Sequence, residues 1–173
     1  VDANGCVDRA HFTQCLDTRV AVASVMWVNN EIGVVQDVPE LAAETKAAGA
    51  VFHTDAVQAF GKTPINAATM PFDLLTISGH KFGAPKGIGA LFIRRNTPLE
   101  PMFHGGSQDR GRRPGTENVA FAVGLATAAE LTLAEHAAES SRLRAMRESF
   151  EARLRKGIPD LVIHGEQAPR APH

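Results

Sequence analysis

Cysteine is scarce in this chain. Cys6 and Cys15 are the only two in 173 residues, which provides neither zinc-site spacing nor a disulfide framework. An excess of charge of one sign is also missing: 18 Lys and Arg stand against 19 Asp and Glu, a net charge of -1, and nothing in that balance points to nucleic acid. Long hydrophobic runs are absent too. The longest, around Val20 to Val28, is interrupted by Ser24 and is too short to span a bilayer. No basic-then-apolar leader opens the chain, so a cytoplasmic protein without membrane contact is expected. No internal repeat or low-complexity tract interrupts a composition of 44% hydrophobic and 21% charged residues, which is that of an ordinary globular protein. Cys15 stands near Phe12 and Leu16 at helical spacing and reads as a small buried apolar residue.

What is present alternates between helix and strand signals. Asp8 to Asp17 reads as a short helix and Val20 to Val28 as a buried strand. Val38 to Ala48 reads as an alanine-rich helix, opened by Asp37 as N-cap with Pro39 in its first turn and ended by Gly49. Ala50 to His53, Leu74 to Ser78 and Ile88 to Arg94 read as further strands. From Glu117 a long helical region runs to about Lys156, with Leu143, Met146, Phe150 and Leu154 at helical spacing, until Gly157 and Pro159 stop it. Leu161 to Ile163 then begin another strand. This alternation predicts an α/β fold, a mostly parallel sheet with helices on both faces.

Lys81 is the most constraining residue. It follows the apolar strand Phe72 to Ile77 within Ser78-Gly79-His80-Lys81, so it sits at a strand end, where partial desolvation would lower its pKa and suit it to Schiff-base chemistry with an aldehyde. A second cluster, His53-Thr54-Asp55 followed by Gln58, closes the preceding strand. Strand alternation places His53 and Asp55 on one face at the carboxyl end, where ligands bind in open α/β sheets. Taken alone, Asp55 reads as a helix N-cap. Together, an acid for a ring nitrogen and a lysine for an aldehyde on successive strand ends match the needs of pyridoxal phosphate.

The order and spacing of these segments resemble a known family. Asn29-Asn30-Glu31-Ile32-Gly33, His53-Thr54-Asp55-Ala56-Val57-Gln58, Ser78-Gly79-His80-Lys81, Pro85-Lys86-Gly87, Gly105-Gly106-Ser107-Gln108 and Arg113-Pro114-Gly115-Thr116-Glu117-Asn118 look like the cysteine desulfurases of the NifS and IscS type, class I of that group and part of the class V aminotransferases with fold type I. The resemblance implies part of a PLP-binding large domain over residues 1–135 and the start of a small C-terminal domain over 136–173. It implies catalytic roles for Lys81, His80 and Asp55. It also implies cofactor contacts by Asn30 and Gln58 at the phenolic oxygen, by Asp55 at the pyridinium nitrogen, and by Ser78 and His80 at the phosphate with backbone donors of the turn. Thr116 resembles the threonine that reaches the phosphate of a neighbouring subunit, which implies a homodimer. L-cysteine is then the substrate, L-alanine the product, and a sulfur-acceptor or iron–sulfur scaffold protein the partner. A metal-binding association comes with the resemblance, although no residue here is assigned as a metal ligand.

The sequence departs from the family pattern at Gly83-Ala84, where a larger residue followed by glycine is more usual, and at Pro114, where serine is usual; proline biases Arg113 toward an extended backbone. The family's amino-terminal phosphate loop, ring-stacking histidine, catalytic cysteine loop and carboxylate-binding arginine have no counterpart, so a central piece of a longer enzyme is expected. Within the fold the rivals are an aminotransferase or a selenocysteine lyase. A different class, a metal-dependent hydrolase built on His53, Asp55, His80 and His104, leaves Lys81 without a role. A third reading is a catalytically inactive piece that only associates with partners. His104, Arg112 and Arg113 read as structural, substrate-side or interface residues.

Overall fold

The computed structural model describes residues 1–173. Four strands form one sheet in the order β1 (Val22–Met26), β2 (Val51–Asp55), β3 (Leu74–Ser78) and β4 (Gly89–Ile93). The first three are parallel, and β4 runs antiparallel to β3. The reversal follows from chain length: the link Gly79–Ile88 holds only a 3₁₀ turn, Gly79–Lys81, whereas a parallel return needs a crossover of roughly a dozen residues or more. The carboxyl ends of β1, β2 and β3 therefore share one edge.

Helix α1 (Arg9–Cys15) is capped by Asp8, whose side chain accepts from the His11 N–H. Helix α2 (Val38–Ala47) is capped by Asp37 and carries Glu40 in its first turn and Lys46 in its last, each matched to the helix dipole. Val38, Leu41, Ala42 and Thr45 recur on one face and are buried. That face meets the sheet side bearing Phe52 and Thr54, both with no exposed surface, so alternation turns Val51, His53 and Asp55 to the opposite side. Trp27 and Phe72 meet edge to face with centroids 6.1 Å apart inside this core. Burial of the Phe52 side chain alone contributes about 1.5–3 kcal/mol.

A short helix, α3 (Gln108–Gly111), contains Asp109 and Arg110 at φ 48° and 61°. It precedes α4 (Val119–Gly157), a single helix of 39 residues capped by Asn118. The division expected between residues 135 and 136 falls inside this unbroken helix. No helix is long and apolar enough to cross a membrane.

Two local expectations require correction. Leu161 to Ile163 form no strand; the segment instead returns toward the core through an isolated bridge between Val34 and Arg170 and a bond from the Ala171 N–H to the Gly33 carbonyl. The bidentate pair of Arg170 with Glu151 (2.8 and 3.1 Å) anchors it to α4. Cys15 is exposed rather than packed, because the short α1 buries no residue; its Sγ lies 3.5 Å from His11 Nε2.

Candidate functional site

The shared strand edge gathers most of the residues singled out in the sequence. Asp55 ends β2 and pairs in register with Met26 of β1 and Thr76 of β3. Ser78 ends β3 two residues beyond Thr76 on the same face, and the 3₁₀ turn then carries His80 and Lys81. One carboxylate oxygen of Asp55 accepts from the Val57 N–H at 2.9 Å, a local turn bond that orients the side chain. No helix starts at Asp55, so the N-cap reading does not apply; its other oxygen is free for a ligand.

The turn carrying Lys81 depends on Gly79. A Cβ on Gly79 would stand 2.9 Å from Ala84 Cβ and 2.9 Å from Leu125 Cδ1 of α4, so the missing side chain lets α4 press on the turn. Thr132 of α4 adds a bond from its hydroxyl to the Phe82 carbonyl at 3.2 Å. Gly79 also donates its N–H to the Ile88 carbonyl, and that backbone donor is committed within the protein. Ser78 Oγ lies 2.9 Å from His80 Nδ1, which pairs the two residues expected at a phosphate.

Lys81 does not occupy the desolvated position expected of it. Its side chain is exposed, because the 3₁₀ turn projects beyond the strand edge. The half-buried amine is that of Lys62, which the sequence reading passed over. Burial pushes the Lys62 amine down from its ordinary value, and the charge of Lys81 adds to the effect. Lys62 Nζ donates to Gln58 Oε1 at 2.9 Å and lies 3.4 Å from His173 Nε2. A signal for it existed, since Gln58 and Lys62 are spaced i, i+4 across consecutive turns closed by Phe60 N–H to Ala56 O and Lys62 N–H to Ala59 O.

His53 is held from both sides. Its Nδ1 lies 2.7 Å from Ser24 Oγ and its Nε2 lies 2.8 Å from Thr76 Oγ1. Burial pushes its pKa down, and Asp55 on the same face opposes that shift. With both ring nitrogens engaged, His53 braces the strand end rather than presenting a free group. The Asn29-Asn30 turn resolves in a similar way: Asn29 Oδ1 accepts from the Glu31 and Ile32 N–H groups. Asn30 is exposed, its amide donating only to the neighbouring Glu31 at 2.9 Å.

Thr116 and His104 lie in exposed segments flanking α3. Arg113 stacks over Phe103, 5.7 Å from the ring centroid, and Gln108 Oε1 accepts from the Gly115 N–H at 3.2 Å. No three His, Cys, Asp or Glu side chains come together in a geometry able to hold a metal. The hydrolase constellation of His53, Asp55, His80 and His104 therefore does not assemble.

Comparison with known proteins agrees with this geometry. A family model described as aminotransferase class-V matches residues 1–173. A cysteine desulfurase of Gluconacetobacter diazotrophicus is 47% identical over 173 residues, covering 100% of this chain and 43% of the relative. The X-ray structure of a NifS-like protein from Rickettsia africae superposes with a TM-score of 0.94 at 36% identity, covering 99% of this chain and 48% of that one. A structure of SspA in complex with cysteine superposes with a TM-score of 0.71 at 37% identity, covering 75% of this chain and 38% of that one. The chain thus spans less than half the length of these relatives.

Proposed function

The chain belongs to the aminotransferase class-V family, and from that premise we propose that it carries the lysine-and-acid part of the active site of a pyridoxal-phosphate-dependent cysteine desulfurase. One observation carries the reading: Asp55 and Lys81 stand at the carboxyl ends of the adjacent parallel strands β2 and β3, with Gln58 and Lys62 beside them.

The donor set fits the cofactor. Class V aminotransferases and cysteine desulfurases are pyridoxal-phosphate enzymes, and the group needs an acid at its ring nitrogen, donors at its phenolic oxygen and a cationic, hydroxyl-bearing setting for its phosphate. Asp55 keeps a free carboxylate oxygen to hold a proton at the ring nitrogen. Gln58 would hold the phenolic oxygen through its amide, joined by Asn30 once its amide leaves Glu31, and Ser78 and His80, paired at 2.9 Å, would hold the phosphate. Lys81 would be the lysine that bonds the aldehyde, because the amine of Lys62 is already engaged by Gln58 and His173. Bound there, pyridoxal phosphate supplies the electron sink for charge developing at the substrate α-carbon. Lys81 takes the α-proton and returns it.

L-cysteine as substrate rests on the cysteine desulfurase relative and on the cysteine complex of SspA. The sulfur passes to an enzymic thiol as a persulfide, leaving L-alanine. Cys6 does not suit that role, being half-buried with its thiol pushed up by burial and by Asp2, and Cys15, exposed at the end of α1, is not assigned it. An iron–sulfur scaffold or other sulfur acceptor is the partner we assign, in the cytoplasm. The homodimer reading, with Thr116 completing the neighbouring site, is supported by the exposed apolar side chains of Met102, Phe103, Val119 and Val123 around it. We assign residues 136–173 to the start of a second, smaller domain, a division that lies within α4.

The test is chemical labelling. Borohydride reduction of the cofactor-loaded intact protein fixes the cofactor on the peptide containing Lys81, and peptide mass mapping reads the site. Label on Lys62, or none, overturns the assignment.

A further inference from the structure

Gln58 has two ends, and only one of them is right for a phenolate. The anionic oxygen needs the amide nitrogen as donor, while the amide oxygen would repel it. A free glutamine at the strand edge can turn either way. Lys62 removes that choice. An ammonium has donors only, and at 2.9 Å from Gln58 Oε1 it binds the oxygen end and leaves the NH₂ group as the end available to donate.

The ammonium is itself kept in place from several directions. It stands in a cleft of about 260 Å³ whose wall also includes Lys81, and His173 lies 3.4 Å away. The other titratable groups of the cleft are Glu135, His136 and Glu139 on α4. Burial together with the charges of Lys62 and Arg147 pushes the imidazole of His173 down, which favours the neutral ring that accepts from an ammonium.

We propose that Lys62 is a positioning residue that fixes the amide orientation of Gln58, so that Gln58 donates to the cofactor's phenolic oxygen. The inference rests on the reading of Gln58 given above. It assigns to Lys62 a role through Gln58 and not through direct contact with substrate or cofactor.

The test uses the cofactor-loaded intact protein and the pH at which its visible absorption titrates. A donor on the phenolic oxygen favours the anionic form, so losing it lets protonation persist to higher pH. Gln58→Ala should raise the midpoint. Lys62→Met should raise it by about one pH unit, a tenfold change in the protonation equilibrium, and Lys62→Arg, which keeps a cationic donor, should stay near the parent. On the Gln58→Ala background, Lys62→Met should add nothing, since a residue acting through Gln58 has no path once Gln58 is gone. An unmoved midpoint in Lys62→Met beside a moved one in Gln58→Ala refutes the inference. A shift of equal size on both backgrounds also refutes it, because that is the signature of bulk charge. If Gln58→Ala itself leaves the midpoint unchanged, the cofactor contact of Gln58 fails first, and the role of Lys62 fails with it. Should Lys62→Met not load, Lys62→Gln retains an N–H donor, and a shift that persists without Gln58 is again the refuting result.

Discussion

Replacing Gly79 by alanine tests how tightly the lysine-bearing turn is built. The added methyl carbon would meet Ala84 Cβ and Leu125 Cδ1 at 2.9 Å and Ile88 Cγ2 at 3.1 Å, against carbon–carbon contacts of about 3.5–4.0 Å at rest. Leu125 can rotate away, whereas Ala84 has no rotamer to change and is itself buried. Forcing one methyl into a packed site costs about 1–3 kcal/mol. Because Gly79 does not lie in the left-handed region, alanine also returns about 0.4–1 kcal/mol by restricting the unfolded chain. The net expectation is a loss of about 1–2 kcal/mol. Guanidinium unfolding of the intact protein reads it as a lower midpoint with an unchanged slope. A companion change, Leu125→Ala, removes one of the three clashes, so the double variant should lose less than the sum of the two single losses. Gly83→Ala is a useful contrast: nothing lies within 4 Å of its Cβ position, but its φ is +90°, so its cost of about 1–2 kcal/mol comes from the backbone alone and Leu125→Ala should not relieve it. Gly79→Ala with parental stability, or a loss fully additive with Leu125→Ala, would refute the packing argument.

Other expectations concern the strands that carry the site. Arg94 donates to the carbonyls of Phe72, Ala67 and Met70 at 2.8, 3.0 and 2.6 Å and lies 5.7 Å from the rings of Phe72 and Phe92; Arg94→Lys keeps the charge but loses the planar fork, and should cost about 2–4 kcal/mol. Unfolding within about 0.5 kcal/mol of the parent would show that those carbonyls find other donors. Because burial lowers the pKa of His53 in the folded protein, its contribution to stability is complete above the unfolded value near 6.5 and declines as pH falls below that value toward the folded pKa. The pH slope of stability between about pH 7 and pH 5 should therefore flatten in His53→Asn, and an identical slope would exclude His53 as a contributor. Asp55→Ala should leave the cofactor bound through Lys81 while turnover falls by orders of magnitude, and unchanged alanine and sulfide production would contradict the ring-nitrogen role.

Much of this molecule was readable because its signals are local. Asp37, Pro39 and Gly49 punctuate α2 through capping and backbone conformation, and strand alternation alone places His53 and Asp55 on one face, where they are found. Motif order brought Asp55, Ser78 and Lys81 to a single strand edge, since parallel neighbours necessarily share their carboxyl ends. Three features lay beyond such reasoning. The direction of β4 depends on whether its connection can cross the sheet, and Gly79–Ile88 is too short. The exposure of Cys15 depends on what a short helix finds to pack against, which periodicity does not reveal. The lysine that loses water could not be inferred from strand-end position, because desolvation is set by everything that surrounds an amine. Lys81 projects from its turn into solvent. Lys62 is half-buried in a cleft lined by side chains from α4 and from the C-terminal segment, residues that only the tertiary fold brings within reach of Gln58.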